Sequence, residues 1–183
     1  FSNTTQSDEW TARLRPLFAA LHAIEHLSDA AAAQCVKDEQ IDILLDLSGH
    51  TALNRLTVFA AKPAPIQVSW LGYFGTTGLP AMDYVLADPH SVPESEAQWF
   101  TERVWRLPHT RLCFSPPLRA PDVSGLPVLA GRPFTFGCFQ ELTKINASVL
   151  DAWKRILLAS PHARLRVQSV RLGYPDVMAA FAQ

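Results

Sequence analysis

The sequence is poor in charge and has no long apolar run. It has 183 residues, of which 18% are charged, with 16 Lys and Arg against 17 Asp and Glu. A soluble domain carries about 25% charged residues, so much of this chain is expected to lie inside compact layers. Nucleic-acid surfaces need clustered Lys and Arg, and no like-charge run provides them. No apolar stretch approaches the ~18 residues that span a bilayer. We therefore exclude nucleic acid and membrane as partners.

Cysteine is scarce as well. Cys35, Cys113 and Cys138 are odd in number and far apart, and none belongs to a C-x-x-C motif. This excludes a disulfide framework and a thiolate zinc site, and it makes the cytoplasm the expected location. The chain starts at Phe1 without Met and stops at Gln183 inside an apparently helical pattern. We therefore expect a piece of a longer protein.

What is present is an alternation of helical and strand patterns. Hydrophobic periodicity and capping residues predict helices over 8–21, 30–39, 51–61, 95–101, 146–160 and from about 176. Apolar runs of strand length lie at 41–47, 66–70, 83–87, 103–107, 134–139 and 164–168. This order predicts a doubly wound α/β structure with parallel strands and right-handed crossovers. The almost continuous apolar run at 41–47 is typical of a strand covered on both faces.

Proline is abundant and unevenly placed. Five of the 14 prolines lie in the stretch from Ser115 to Pro133, where apolar periodicity is lost. Such a stretch indicates a linker. The sequence therefore predicts one α/β domain over 1–115, a Pro-rich interdomain linker over 116–133, and the start of a second α/β domain over 134–183.

Three loops that follow predicted strands have the composition of ligand sites, which in such sheets lie beyond the carboxyl ends of the strands. Residues 46–51 lead into a predicted helix whose free N–H groups can receive an anion; a plain tight turn is the alternative. Residues 70–78 contain three glycines, which let backbone approach a ligand; a flexible surface turn is the alternative. Lys144 precedes a predicted helix N-terminus, where it can bind a diphosphate or remain a solvated charge.

One motif is typical of a different kind of site, a zinc site. His22, Glu25 and His26 match H-x-x-E-H, the inverted zinc-protease pattern, which puts two imidazoles on one helix face. The segment 27–29 ends any helix at once, and no third ligand is evident. We predict no metal site.

Taken together, several motifs closely resemble the catalytic region of the O-GlcNAc transferase and SPINDLY family, in its bacterial form. They lie in the family's order at 41–51, Arg55, 62–67, 70–73, 75–78, 82–84, 107–109, Phe139, Lys144 and Ile145. The resemblance runs from about residue 8 to 169. It implies a GT-B glycosyltransferase with two Rossmann-like domains, of which 1–115 is the later part of the N-terminal one. Residues 134–183 then begin the C-terminal, nucleotide-sugar-binding one. The tetratricopeptide array usual in the family, with its repeat of about 34 residues, is absent here.

The activity implied by the resemblance is inverting, metal-independent transfer of N-acetylglucosamine from UDP-GlcNAc to Ser and Thr hydroxyls of proteins, without a cofactor. Two alternatives stay open: a SPINDLY-like protein O-fucosyltransferase that uses GDP-fucose, and a non-catalytic α/β binding module. The family's base histidine would lie upstream of Phe1, and its His-Thr-Thr turn and ribose-binding Asp downstream of Gln183. The fragment alone is therefore expected to be inactive.

The resemblance also implies roles for individual residues. Lys144 is implied to bind the donor diphosphate and stabilise the leaving group. The other donor-side residues are Leu71 and Gly72 at the sugar, His50 and Thr51 near it, and Glu141 and Thr143 near the nucleotide. The acceptor-side loop comprises Tyr73, Gly75, Thr76 and Thr77.

Four positions in these loops depart from the family's pattern. Phe74 stands where many members have Pro, His50 stands where human-type enzymes have Tyr, Thr143 stands where animal enzymes have Tyr, and Glu141 stands where Gln or Asn is usual. A carboxylate beside a diphosphate is unfavourable unless it is paired or turned away. The identity of the donor therefore depends on the surroundings of Glu141.

Overall fold

The computed structural model describes residues 1–117 and 119–181. The chain divides into two units between Ser115 and Pro116. The first unit contains α1 (Glu9–Leu14), α2 (Asp29–Asp38), β1 (Ile43–Asp46), α3 (Leu56–Ala60), β2 (Ile66–Ser69), β3 (Tyr84–Ala87) and β4 (Arg103–Arg106). The second contains β5 (Thr135–Cys138), α4 (Ala147–Ala159), β6 (Arg164–Val167) and α5 (Pro175–Phe181). Short 3-10 turns span Arg15–Leu17, Glu94–Trp99, Pro127–Ala130, Leu142–Lys144 and Val170–Gly173.

The sheet of the first unit has the order β1-β2-β3-β4, and every neighbouring pair is parallel. Leu45 lies opposite Val68, and Val85 opposite Val104. Parallel strands joined by crossovers confirm the α/β class. The described strands succeed one another in a single direction, without the reversal that a doubly wound sheet has.

The core of the first unit lies between one face of this sheet and the helices α2 and α3. Its buried side chains are Val36, Leu44, Leu56, Phe59, Ala64 and Met82, with an adjoining cluster of Ile24, Ala32, Ala33 and Val58. The Ser28 hydroxyl accepts the N–H of Ala31 at 3.2 Å and so caps α2. The prediction of this helix from its cap and its alanines is confirmed.

β1 is covered on one face only. Leu44 and Asp46 are buried, whereas Ile43 and Leu45 are 54% and 46% exposed. The expectation of a strand buried on both faces is wrong for this unit, because α2 and α3 pack against the Leu44 face.

Three predicted helices differ in the structure. The helix predicted over 8–21 ends at Leu14 and continues as the 3-10 turn that contains Pro16, since proline cannot donate a backbone hydrogen bond. The one predicted over 51–61 begins only at Leu56, because Leu53 has a φ of +61°. Residues 94–99 form a 3-10 turn instead of an α-helix.

Two residues of the recognised motifs hold this fold together. Arg55 Nε lies 2.7 Å from Asp29 Oδ1, and its Nη atoms donate to backbone carbonyls before α2. Gln67 is fully buried, and its Nε2 donates to the carbonyls of Phe59 and Ala81 at 2.9 Å each. Both therefore tie α3 to neighbouring segments.

In the second unit, β5 and β6 are parallel neighbours, with Phe136 opposite Leu165. Asn146 Oδ1 accepts the N–H of Val149 at 3.1 Å and caps α4, as its sequence predicts. Among residues 1–117 and 119–181 no helix combines the length and apolarity needed to cross a membrane.

Candidate functional site

The predicted site residues belong to loops at the carboxyl ends of parallel strands in both units. In the first unit these loops follow β1 and β2, and in the second unit the predicted residues lie in the loop after β5, beside the loop after β6. Because the paired strands are parallel neighbours, the two loops of each unit emerge at one edge of its sheet.

The turn after β1 is organised by Asp46, whose side chain is buried. Its carboxylate accepts the N–H groups of Ser48 at 3.0 Å and Gly49 at 2.9 Å, and the Ser69 hydroxyl at 3.3 Å. α3 starts later, at Leu56, and has five residues. The helix predicted from residue 51 therefore does not begin directly after this turn, while the donor-side role of His50 and Thr51 stays a prediction.

His50 connects this turn to the glycine-rich loop 70–78. Its Nε2 lies 3.2 Å from the Thr76 carbonyl oxygen, and its ring meets Tyr73 edge-on with 5.5 Å between centroids. The Thr51 hydroxyl donates to the Ser48 carbonyl at 2.9 Å. The structure thus brings His50, Tyr73 and Thr76 together, while the Thr51 side chain stays within its own turn.

Two glycines permit this close contact between the loops. A Cβ on Gly72 would lie 2.2 Å from the Leu47 carbonyl oxygen, and one on Gly49 would lie 2.5 Å from Tyr73 Cβ. Gly49 also has a φ of +55°, which favours glycine. Glycine therefore serves the contact between the two loops.

Glu102, which precedes β4, fixes the far end of the same loop. It is 4% exposed. Its Oε1 accepts the N–H of Thr77 at 2.7 Å as well as the Thr77 hydroxyl, and its Oε2 accepts the Thr76 hydroxyl at 2.7 Å. Both threonine side chains are thus directed to Glu102. Sequence reasoning missed this residue, because a single Glu before a strand has no distinctive spacing.

Arg111, in the segment after β4, is a second residue that sequence reasoning missed. It is 9% exposed, and its Nη1 donates to the Leu71 carbonyl at 3.1 Å. Its guanidinium carbon lies 5.3 Å from the centroid of the Phe74 ring, and its own carbonyl accepts Trp70 Nε1–H at 2.9 Å. Three residues of the glycine-rich loop are therefore attached to Arg111.

Asp88 anchors the segment that carries Arg111. Its Oδ2 accepts the Arg111 N–H at 2.8 Å, and its Oδ1 accepts the N–H groups of His90 and Ser91. These bonds, first that of Arg111 and then that of Ser91, lower the pKa of Asp88 to about 2. The carboxylate is therefore charged at neutral pH and acts as an anion that the backbone holds.

In the second unit, Lys144 ends the 3-10 turn after β5, two residues before the cap of α4. Lys144 and Thr143 are exposed. Glu141 pairs with Arg171, with 3.0 Å between Oε2 and Nε. Arg171 belongs to the turn after β6, so the ion pair joins the two loops. No carboxylate of the described residues lies within 4.0 Å of Lys144 Nζ.

The histidine pair of the zinc-like motif is not on a helix. Residues 21–28 lack helical structure, and Ala23 forms an isolated bridge with Ser2. His22 stacks on Phe1 and lies 3.5 Å from Glu39. Within the ranges that the structure describes, no three His, Cys, Asp or Glu side chains are grouped so as to hold a metal ion.

Parallel α/β units with polar loops at their carboxyl edges define a Rossmann-like α/β fold with its candidate ligand site at those edges. The chain belongs to glycosyl transferase family 41, whose family model it matches over residues 12–114. Its architecture is similar to that of a solved lysine-to-methionine mutant of Thermobaculum terrenum O-GlcNAc transferase. The TM-score is 0.90 and the identity 40%, over 98% of this chain and 34% of that one.

The names of similar curated proteins point to the same family. A protein from Petunia hybrida called probable UDP-N-acetylglucosamine–peptide N-acetylglucosaminyltransferase SPINDLY is 41% identical over 155 residues, or 85% of this chain. A Caenorhabditis elegans UDP-N-acetylglucosamine–peptide N-acetylglucosaminyltransferase is 43% identical over 79 residues. The match covers 17% of the Petunia protein and 7% of the nematode one. The family resemblance and the fold class are thereby confirmed.

Proposed function

We propose that this chain forms part of the catalytic region of an inverting, metal-independent transferase in the cytoplasm. The enzyme moves N-acetylglucosamine from UDP-GlcNAc to Ser and Thr hydroxyls of proteins. Residues 1–115 are the later part of its N-terminal Rossmann-like domain, 116–133 the linker, and 134–183 the start of its nucleotide-sugar-binding domain. The names of the relatives support the donor and the peptide acceptor.

The observation that carries the proposal is the setting of Lys144. Its ammonium has no carboxylate neighbour among the described residues within 4.0 Å, and it stands just before the N-terminus of α4, a helix of 13 residues. Unpaired N–H groups and the helix dipole favour an anion at such a place. A nucleoside diphosphate is an anion that suits both the lysine and the helix end.

Glu141 is compatible with this assignment because Arg171 neutralises it. Without the 3.0 Å contact between Glu141 Oε2 and Arg171 Nε, a carboxylate three residues from Lys144 would oppose a diphosphate. With it, the loops after β5 and β6 carry two cations and one carboxylate. The edge therefore keeps a net positive charge for the donor, and Glu141 and Thr143 border the nucleotide.

Lys144 supplies the positive charge that a divalent cation supplies in other transferases. Negative charge grows on the diphosphate as the bond to the sugar breaks, and a fixed ammonium stabilises that charge without a metal. Inversion follows when the acceptor hydroxyl attacks the sugar from the side opposite the departing nucleotide.

The glycine-rich loop provides the sugar and acceptor side of the proposal. Leu71 and Gly72 line the donor sugar, with His50 and Thr51 near it. Tyr73 and Gly75 face the acceptor, while Thr76 and Thr77 shape this side of the loop through their hydrogen bonds to Glu102. The exposed aromatic ring of Tyr73 is suited to an apolar contact with a peptide.

The test is a transfer assay with the complete natural chain that carries this sequence. UDP-GlcNAc and GDP-fucose are offered in turn, with and without EDTA, and sugar on protein acceptors is measured by mass spectrometry. We expect HexNAc transfer that EDTA leaves unchanged. Transfer of deoxyhexose alone would support the fucosyltransferase alternative, and loss of transfer in EDTA would contradict metal independence. No transfer from either donor would favour a binding module.

A further inference from the structure

The guanidinium of Arg111 is buried, and no carboxylate of the described residues balances it. The residue is 9% exposed, and its Nε has no hydrogen-bond partner in that part of the chain. Within residues 1–117 and 119–181, no Asp or Glu oxygen lies within 4.0 Å of its side chain. Burying a charge without an anion is unfavourable. The Arg111 guanidinium must therefore be stabilised by contacts other than an ion pair.

Those contacts all reach the glycine-rich loop. Arg111 Nη1 bonds to the Leu71 carbonyl 40 residues earlier, and the guanidinium lies over the face of Phe74, 5.3 Å from its centroid. A cation over an aromatic face is stabilised when it is desolvated. In addition, Trp70 Nε1–H donates a hydrogen bond to the Arg111 backbone carbonyl at 2.9 Å.

The backbone of the loop needs such support. Leu71 has a φ of +75°, a region that non-glycine residues rarely occupy and that persists only where the surroundings impose it. The next residue, Gly72, is pressed against the Leu47 carbonyl. The Arg111 bond fixes the direction of the Leu71 carbonyl at this strained step, and Asp88 in turn fixes Arg111 through its backbone N–H.

We propose that Arg111 is a positioning residue for the turn at Leu71 and Gly72, and that the Phe74 ring is its partner. Arg111 acts through Leu71 and need not touch the substrate. The inference rests on the proposed function in one respect, namely that this turn lines the donor sugar. It predicts that the loop conformation and the turnover depend together on Arg111.

The experiment compares Arg111→Met, Arg111→Lys, Phe74→Leu and the double variant Arg111→Met/Phe74→Leu. The matched control is Arg15→Met, at an exposed arginine of the same unit. Peptide-level hydrogen exchange over 70–78 reports the loop, and kcat and KM for UDP-GlcNAc report transfer by the complete natural chain. Thermal unfolding separates a local change from global destabilisation.

For Arg111→Met we expect exchange over 70–78 to rise and kcat to fall by at least about ten-fold, since small displacements of positioning groups cost that much or more. Arg111→Lys, which keeps one donor for the Leu71 carbonyl, should recover part of both. The double variant should be little worse than Arg111→Met, because the two side chains act as one unit. Arg15→Met should match the natural protein.

Unchanged exchange over 70–78 in Arg111→Met would overturn the inference. So would exchange that rises equally throughout the first unit with kcat unchanged, because Arg111 would then be a general stabilising residue. If the natural protein transfers no sugar, the proposed function fails. The exchange measurement still decides whether Arg111 fixes the loop.

Discussion

Glu102 and Thr77, 25 residues apart, are joined by two hydrogen bonds to one carboxylate oxygen. Glu102 Oε1 accepts the backbone N–H of Thr77 at 2.7 Å and also accepts its hydroxyl. Both residues are buried. Since charge-assisted bonds in a buried setting are stronger than neutral ones, this carboxylate should be a main determinant of the loop conformation.

Glu102→Gln should therefore destabilise the first unit. The amide keeps the shape of the side chain but turns an NH₂ group toward donors that need an acceptor. We expect the free energy of unfolding in urea to fall by about 1–3 kcal/mol. Glu96→Gln, at an exposed glutamate, is the matched control and should change it by less than about 0.5 kcal/mol. Equal effects of the two substitutions would contradict the role given to Glu102.

Asp88 should make the protein less stable in acid. The Arg111 and Ser91 N–H groups lower its pKa to about 2, against about 3.9 in an unfolded chain. A lowered folded pKa gives stability that is complete above the unfolded pKa and is lost as the pH falls through the folded one. The loss due to Asp88 should thus lie between about pH 4 and pH 2.

The measurement is the difference in free energy of unfolding between the natural protein and Asp88→Asn at about pH 6 and about pH 3. Other carboxylates with lowered pKa values, such as Asp29 and Asp83, are present in both proteins and cancel. The difference should shrink at the lower pH. A difference that is the same at both pH values would show that the Asp88 charge contributes nothing.

The beginning of the second unit, before β5, should be cut first by protease. Residues 119–126 are exposed and have no helix or strand, and Val123 is fully exposed. Such segments are the preferred sites of nicking. Brief trypsin treatment should cleave after Arg119 before any other bond, giving two stable fragments in mass spectrometry. Earlier cleavage after Lys37 in α2 or Arg103 in β4 would contradict the division of the chain.

Much of the fold was predictable because its signals are local. The Ser28 and Asn146 caps and the apolar stripe of the following residues predict α2 and α4, and both helices occur within one or two residues of the predicted bounds. The six strand-length apolar runs each contain a strand. Lys144 was identified from its family motif and from its place before a helix.

The rest depends on contacts between distant parts of the chain. No local pattern reveals that Glu102 holds Thr77, that Arg111 supports Leu71, or that Arg171 neutralises Glu141, because the partners lie 25 to 40 residues apart. The late start of α3 arises from the positive φ of Leu53. The identity of this residue gives no signal for a positive φ, since leucine rarely adopts one. Tertiary structure here overrides helix propensity.

The charge of Lys144 should act on the departing diphosphate in the complete natural chain. If its ammonium stabilises charge that grows on the diphosphate, Lys144→Ala should lower turnover far more than it weakens donor binding. The loss should be about 3–4 kcal/mol, or roughly 10²–10³ in rate. Lys144→Arg should recover little, because a planar guanidinium does not replace a compact ammonium at a close phosphate contact.

Single-turnover transfer from UDP-GlcNAc and donor affinity, measured side by side on Lys144→Ala, test this most directly. Lys154→Ala is the matched control, since Lys154 is an exposed lysine on α4, ten residues further along the chain. We predict that the single-turnover rate falls by at least about 10² with a much smaller loss of affinity, and that the control behaves as the natural protein. Near-natural transfer by Lys144→Ala would contradict the account, because Lys144 would then be an ordinary surface charge.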